Sequence, residues 1–385
     1  MPTLAPAYRP RRPTETVLYA VVRRHLETFL AHARETYDAP LPPYVERELR
    51  GYLRCGVFAH GFVRAHCDAC GHDLLVAFSC KGRGVCPSCA GRRMANTAAH
   101  LADRVLPDVP VRQWVLSLPF ELRALAAFRA DVLSALGRIF VEEVFRRYRS
   151  RAKARGQPAA QCGAITFVQR FGSSLNLHVH FHVVVLDGTF ARDEAGRVVF
   201  QEAPAPERGE LQAIVRRVHT RAATWLARHA PGDTHAQGPL AACADAALRR
   251  GTVRSLSSST EPEEEPDATV RAPPSSTGAV DFEGFNLDAS VRIEAGDDLG
   301  RERLCRYGLR PAFSLERLRW LPGGRLAYRI KKVRGGAKTR VMTPVELLAR
   351  LAALVPPPRY PLVRYHGVLG PPLVVAARRR AAAAS

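Results

Sequence analysis

The chain of 385 residues contains no run of about 20 apolar residues, so nothing in it reads as a membrane-spanning helix. Its opening, Met1 to Pro13, is rich in proline and arginine and lacks the apolar core of a signal peptide, which argues against export. Acidic side chains are scarce. Against 36 Asp and Glu stand 57 Lys and Arg, a formal net charge of +21. That surplus favours a polyanionic partner, and with the membrane option weak, nucleic acid is the better one. Part of the basicity belongs to a general richness in Ala, Arg and Pro of the kind a GC-rich genome produces. The charge therefore permits this partner without identifying it.

Cysteine is not scarce. Of nine, five lie between Cys67 and Cys89, a density that suits metal thiolates in a reducing cytosol better than disulfides. Cys67-Asp68-Ala69-Cys70 and Cys86-Pro87-Ser88-Cys89 are two CxxC turns with fifteen residues between them, the spacing of a four-cysteine zinc site. Cys67, Cys70, Cys86 and Cys89 are the expected ligands, with Cys80 as the alternate and His66 and His72 flanking the first turn. The intervening Leu74-Leu75-Val76-Ala77-Phe78 reads as a ribbon strand. A closed shell of four sulfurs implies a structural Zn2+ rather than a catalytic one. Lys81, Arg83, Arg92 and Arg93 crowd this module, either as a solvated surface or as contacts to DNA.

The segment from Leu175 to Gly188, Leu-Asn-Leu-His-Val-His-Phe-His-Val-Val-Val-Leu-Asp-Gly, reads as a strand running into an Asp-Gly turn. Side chains alternate along a strand, so His178, His180 and His182 share one face, while Val179, Phe181 and Val183 share the other. Neutral imidazole is the commonest protein metal ligand, and three at a period of two make a metal site candidate. Positions i and i+4 on a strand are about 13 Å apart, so an adjacent pair plus a group from elsewhere is the expected ligand set.

Around these motifs the pattern is α+β. An amphipathic helix follows Thr14 or Thr16, and a second starts after Pro43. A helix near 92–103 leads to a strand at 111–119, a long helix over roughly 122–150, and a strand from Cys162 to Phe171. The histidine strand comes next, giving the order β-α-β-β of a mixed sheet with helices on one face. Leu211 to Arg228 is a further helix. Residues 231–281 carry the run Glu261-Pro262-Glu263-Glu264-Glu265-Pro266 and too little apolar content to pack, so they read as a disordered acidic insertion. Order returns at Gly284-Phe285-Asn286-Leu287, followed by a helix at Arg301 to Tyr307, a hairpin from Arg325 to Met342 across Gly335-Gly336, and a helix capped by Thr343.

A His-hydrophobic-His pair on a strand is similar to the HUH single-strand nucleases, and the longer string from Leu175 to Gly188 resembles the rolling-circle transposases of the IS91 type. The string from Cys67 through Arg93 resembles the zinc-binding domain that precedes the nuclease in those proteins. The resemblance runs from about Val17 to Gly370 with three motifs in the family's order. It implies a basic arm (1–14), a helical and zinc-ribbon domain (15–105), and a nuclease in two parts (106–230 and 282–370) around the acidic insertion, then a basic tail (371–385). The nuclease would have a central, mostly antiparallel sheet with helices packed on it. The resemblance further implies that His180 and His182, with His178 as a third site residue, hold a divalent Mg2+ or Mn2+. The substrate implied is single-stranded or hairpin DNA at transposon ends, in a bacterial cytoplasm beside the nucleoid.

For a nucleophile, Tyr307 stands in Arg303-Leu304-Cys305-Arg306-Tyr307-Gly308-Leu309-Arg310, where cations can stabilise a phenolate and an incoming phosphate. In two-tyrosine members of the family a Tyr-x-x-x-Tyr helix carries both nucleophiles. Aligned on it, Tyr307 is the second tyrosine and Arg303 takes the first position, so the chain resembles a single-tyrosine variant. One tyrosine then acts twice, or the 3′-hydroxyl and host replication finish the reaction. Tyr328, Tyr360 and Tyr365 are the reserve candidates, and Arg306 and Arg310 join Arg83, Arg92 and Arg93 as expected DNA contacts. Two rival readings are a non-catalytic zinc-ribbon DNA-binding regulator and a His-metal hydrolase or oxygenase on a small substrate. The second leaves the positive charge and the ribbon without a purpose, and Asp187 is poorly placed to complete a facial triad.

Overall fold

The structure of the chain is a computed structural model, which describes residues 11–37, 39–230, 239–248, 253–255, 278–330 and 338–370. The basic arm before residue 11, the acidic run 261–266, the turn at 335–336 and the tail 371–385 lie outside the described residues.

Helices α1 (Val17–Tyr37) and α2 (Pro43–Arg54) precede a hairpin of β1 (Phe62–His66) and β2 (Asp73–Ala77), and then α3 (Pro87–His100), which runs into a π-helical turn at Leu101–Val105. Next come β3 (Val111–Ser117), α4 (Phe120–Phe128), α5 (Ala130–Ala154), β4 (Gly163–Phe171) and β5 (Leu177–Leu186). A small hairpin of β6 (Gly188–Arg192) and β7 (Val198–Glu202) leads to α6 (Arg208–His229), α7 (Pro239–Leu248) and β8 (Val253–Ser255). The chain continues with β9 (Val280–Phe282), β10 (Phe285–Asp288), β11 (Arg292–Ile293), α8 (Asp298–Leu309), β12 (Leu318–Leu321), β13 (Arg325–Arg329), β14 (Lys338–Met342), α9 (Pro344–Leu354) and β15 (Val363–Gly367).

The fold is α+β. The central sheet runs β15-β4-β5-β3-β10-β9, with β11 also on β3, and every pairing in it is antiparallel. The histidine strand β5 sits in its middle, bonded to β4 on one side and β3 on the other. Strands β9 to β11, which follow the acidic segment, are thereby joined to a sheet begun before it. A second sheet, β12-β13-β14-β8, stands apart.

Alternation on β5 divides the core. Val179, Phe181, Val183 and Val185 are fully buried on the face packed with α4, α5 and α9. Burial at that level contributes about 1.5–3 kcal/mol per large side chain. The other face carries the histidines and then Val184 and Leu186, which join Ile165, Phe167, Leu304 and Cys305 under α8. The polar face of this strand is therefore covered by a helix, not by solvent.

Three expectations change. The long helix expected at 122–150 is two, parted at Arg129, whose extended backbone (φ −103°, ψ 107°) lets α4 lie across β5 while α5 starts afresh behind Asp131. The acidic insertion is not uniformly unstructured: α7 buries Cys243, Ala244 and Ala247 against α9, small apolar side chains whose packing the low-complexity reading discounted. Asp187 is not the tip of a tight hairpin. Fully buried where the chain leaves β5 for β6, it accepts hydrogen bonds from Arg112 Nη2 (2.8 Å), Tyr148 Oη (2.8 Å) and Arg292 Nε (2.9 Å). The capped helix expected after Thr343 is α9, where Thr343 Oγ1 accepts from the Glu346 amide at 3.1 Å.

Removing the Asp187 carboxylate would leave Arg112 buried without its counter-charge, a loss typically costing about 3–5 kcal/mol. Asp187→Ala is expected to lower the thermal midpoint strongly, measured by calorimetry, while an exposed control such as Glu194→Ala changes stability by less than about 0.5 kcal/mol.

Candidate functional site

The histidine row is built by register. Antiparallel pairing sets His182 between Val115 and Phe167, and His180 between Ser117 and Gln169. Ring centroids are 4.8 Å apart for His178 and His180, and 4.9 Å for His180 and His182. His180 and His182 are buried and His178 is half-buried. Burial, with charge from neighbouring histidines and from Arg123 or Arg310, pushes all three below the usual imidazole range. His178 falls to about 3, His180 to about 4 and His182 to about 2. Near pH 7 the row is neutral, the state in which imidazole binds metals.

Second partners fix the tautomers. His180 Nδ1 lies 2.9 Å from the His178 carbonyl, which can only accept, so Nδ1 carries the proton and the Nε2 lone pair is available. His182 Nδ1 lies 3.0 Å from the Gln113 side-chain amide nitrogen, and its Nε2 is buried with no partner among the described residues. Gln113 Nε2 donates to Nδ1 in this arrangement, which puts the ring proton on the unpartnered Nε2; turning the amide over would move the proton to Nδ1 and free the Nε2 lone pair. The lone pair of His180 Nε2 and the unpartnered Nε2 of His182 are the atoms that would meet a cation. Among the described residues, the three histidines do not by themselves form a converged group of metal donors.

Helix α8 brings Tyr307 to this row. Asp297 caps it by accepting from the Gly300 amide (2.8 Å), and Arg301 ties it to Asp108 (2.6 Å). Gly308 seats it: a Cβ there would lie 2.5 Å from the buried ring of Phe167, so the helix meets β4 only because position 308 has no side chain. Gln169 of β4 donates from Nε2 to the carbonyls of Tyr307 (2.7 Å) and Gly308 (3.0 Å), satisfying acceptors at the end of the helix. The ring of Tyr307 then stands 5.2 Å from that of His182, edge to face, although 125 positions separate them. Tyr307 is 43% exposed, whereas Tyr328 and Tyr360 are sealed in the core, the latter bonded to the Ala126 carbonyl. Tyr365 is exposed too, on the outer strand β15.

Arg310 lies over Tyr307, its guanidinium 4.7 Å from the ring centroid, and donates to Gln169 Oε1 (3.3 Å). Arg306 is paired with Glu302, and Arg303 is exposed. Arg92 and Arg93 are exposed on α3, and Arg83 is half-buried beside Tyr360. Gln113, Gln169, Gly308 and Arg123 were not singled out by sequence. A glycine next to the tyrosine in a helical segment was the one available signal.

The cysteine assignment needs correction. Cys55, Cys80, Cys86 and Cys89 form the cluster, with ligand atoms all within 4.8 Å and three sulfur pairs at 3.6 Å. A Zn–S bond of about 2.3 Å puts the sulfurs of a tetrahedron about 3.8 Å apart, so the set fits zinc. Hydrogen bonds from the other three thiols hold the Cys55 thiol well below its usual range. Cys67 and Cys70 are exposed at the tip of the β1–β2 hairpin, roughly 13 Å beyond its base. The base is zipped by Gly56 N to Phe78 O (2.9 Å) and Phe78 N to Gly61 O (3.0 Å), which brings the chain before and after the hairpin together. Cys55, outside any CxxC, is the ligand that spacing missed, and Cys80, held as the alternate, is in the cluster.

Cys55→Ser is expected to cut bound zinc after dialysis well below one equivalent and to lower thermal stability. The double variant Cys67→Ser, Cys70→Ser is expected to leave that stability unchanged. For the histidine row, folded values below the unfolded 6.5 mean that the unfolded chain takes up protons first. The row's contribution to stability is full above pH 6.5 and is lost as pH falls towards the folded values. Without added divalent ions, the midpoint should drop from pH 7 to pH 5, and His182→Asn should flatten the slope by up to about 1.4 kcal/mol per pH unit.

Comparison with known proteins accords with this geometry. The transposase family model Y2_Tnp matches residues 163–375, more than half of the chain and the part containing the histidine row and Tyr307. The transposase zinc-binding domain model of the IS91 type matches residues 21–118, which hold the four-cysteine cluster. No curated protein and no solved structure matches the chain. Among the described residues no helix is long and apolar enough to cross a membrane. A zinc-binding domain followed by a transposase domain places the chain in the IS91 family of transposases, and it belongs there.

Proposed function

We propose that the protein cleaves and rejoins single DNA strands as an HUH-type endonuclease, with Tyr307 as the nucleophile, during rolling-circle transposition in the cytoplasm. The observation that carries this reading is the 5.2 Å separation of the Tyr307 and His182 rings, beside a buried His182 Nε2 that has no partner among the described residues. Tyr307 Oη attacks the scissile phosphorus, the bond to the 3′-oxygen breaks, and the phenolic proton is balanced by protonation of the departing 3′-oxygenate. The products are a 5′-phosphotyrosine and a free 3′-hydroxyl able to prime replication. The reverse attack by a 3′-hydroxyl rejoins strands without an external energy source, because the ester keeps the energy of the phosphodiester. Mg2+ or Mn2+ held by His180 and His182, with His178 beside them, would polarise the phosphate as a Lewis acid.

The other side chains orient and neutralise. Gln169 holds the tyrosine's helix end, and Arg310, lying on the ring, meets the phosphate's negative charge. Arg83, Arg92, Arg93 and Arg306 add positive charge for a strand near a transposon end, single or folded as a hairpin. Binding by such contacts weakens steeply with salt. With Arg303 at the outer, exposed position of the helix, a single tyrosine serves both transfers.

The test is incubation of labelled single-stranded oligonucleotides with the protein and Mn2+, followed by a denaturing gel and peptide mapping. Wild type should yield a covalent adduct on Tyr307. Tyr307→Phe should yield none, and His180→Ala or His182→Ala should slow adduct formation by about 10²-fold or more while leaving DNA binding intact. An adduct on any other residue would overturn the assignment, and intact transposition by Tyr307→Phe would favour a non-catalytic DNA-binding role.

A further inference from the structure

Between the zinc-bearing helix and the nuclease sheet lies a cavity of about 220 Å3. Its walls come from Arg83, Arg93 and Met94 on the zinc-binding side, from residues 168–171 of β4, and from residues 308–312 at the end of α8. Arg83, Arg93, Arg170 and Arg310 all line it, and among the described residues no carboxylate does.

These guanidiniums are held by neutral oxygens. Arg93 donates to the carbonyls of Lys81 (3.0 Å) and Gly82 (3.3 Å), Arg83 to that of Tyr360, Arg170 to those of Ala127 and Ala353, and Arg310 to the Gln169 amide. Among the described residues none of the four forms an ion pair. Glu48, the carboxylate that acts on Arg83, gives its oxygens to the backbone amides of Arg83 (2.6 Å) and Gly84 (3.2 Å). Arg170 Nε is buried without a partner among the described residues. Four like charges around one hollow repel each other, and an anion entering it relieves that repulsion. Apart from Thr97 and Gln169, the other side chains of the lining are apolar, including Met94, Val168, Phe171 and Leu362, and suit the flat face of a base.

We infer that this cavity takes one nucleotide of the substrate strand, phosphate against Arg93 and Arg310, base against the apolar wall, next to the phosphate that is cleaved. The inference rests on the proposed strand-cleaving function. Position is set by continuity: the lining begins at Gly308, the neighbour of Tyr307, and Arg310 touches both the Tyr307 ring and the cavity. A paired base could not enter, so the pocket itself selects for an unpaired strand at that point. It also gives the zinc-binding module a direct part in holding substrate, through Arg93 on α3.

The test measures binding by fluorescence anisotropy on oligonucleotides carrying one abasic site at successive positions, with adduct formation followed in parallel. One abasic position beside the cleaved phosphate should weaken wild-type binding about tenfold. Met94→Trp, which fills the hollow, should lose a similar factor on the intact strand and nothing further on that abasic strand. Arg93→Ala should weaken binding to all strands and lower the salt slope by about one, with Arg93→Lys recovering most of the affinity. Deoxynucleoside monophosphates should compete at concentrations where inorganic phosphate does not. Equal competition by phosphate alone, or Met94→Trp and Arg93→Ala binding like wild type, would overturn the pocket while a Tyr307 adduct upheld the cleavage function. Absence of that adduct from wild type, with the abasic and Met94→Trp effects intact, would overturn the cleavage function and leave the pocket standing.

Discussion

The contact between Gly308 and the ring of Phe167 is where the two halves of the site meet. Helices and sheets ordinarily stand apart by the depth of their side chains. Here a side chain is missing at the point of closest approach, and a methyl group there would come within 2.5 Å of a ring that is itself fully packed. That close seat gives the helix end leverage over the site. The neighbouring tyrosine is lowered onto the imidazole face of β5, and Gln169, on the strand beside it, can reach two carbonyls at the helix end. A larger residue at 308 would lift the whole end of α8, and the phenol would leave the row with no change in the chemistry of either.

The zinc cluster belongs to the same mechanical arrangement. Cys86 caps α3 and Cys89 lies in its first turn, so two of the four sulfurs fix one end of that helix. Helix α3 packs against α8. The structural metal site, the zinc-bearing helix, the tyrosine helix and the histidine strand thus form one continuous stack. The Asp187 hub under the far end of β5 ties the sheet to α5 and to the β10–β11 segment through Tyr148, Arg112 and Arg292. Parts distant in sequence are held to one rigid frame at both ends of the central strand.

Much of this was legible in the chain. Period-two alternation from Val179 to Val183 announced a strand with two unlike faces, and the structure puts that strand at the sheet's centre. The Thr343 cap and the α8 segment could be read from local chemistry. The errors came where local signals met tertiary ones. Two CxxC turns matched a familiar zinc spacing, yet the hairpin carries one of them away from the other, and Cys55 at the end of α2 takes its place together with Cys80. No spacing rule finds Cys55, because its proximity is set by the zipped hairpin base. Gln113 and Gln169 were invisible for the same reason: a glutamine on a strand has meaning only once its cross-strand neighbours are known. Arg129 and α7 show a third limit, since the break in one and the packing of the other depend on what lies beneath them.

Because the cluster draws ligands from just before and just after the β1–β2 hairpin, the metal would act as a clasp closing residues 56–79 into a loop of their own. Loop-closure entropy rises only with the logarithm of length, about 0.6 kcal/mol per doubling. The protruding arm can therefore be lengthened, shortened or given a new tip during evolution at little expense to the clasp. Whatever its outer residues Phe62, Val63, Leu74 and Leu75 meet could be exchanged without disturbing the transposase domain behind it.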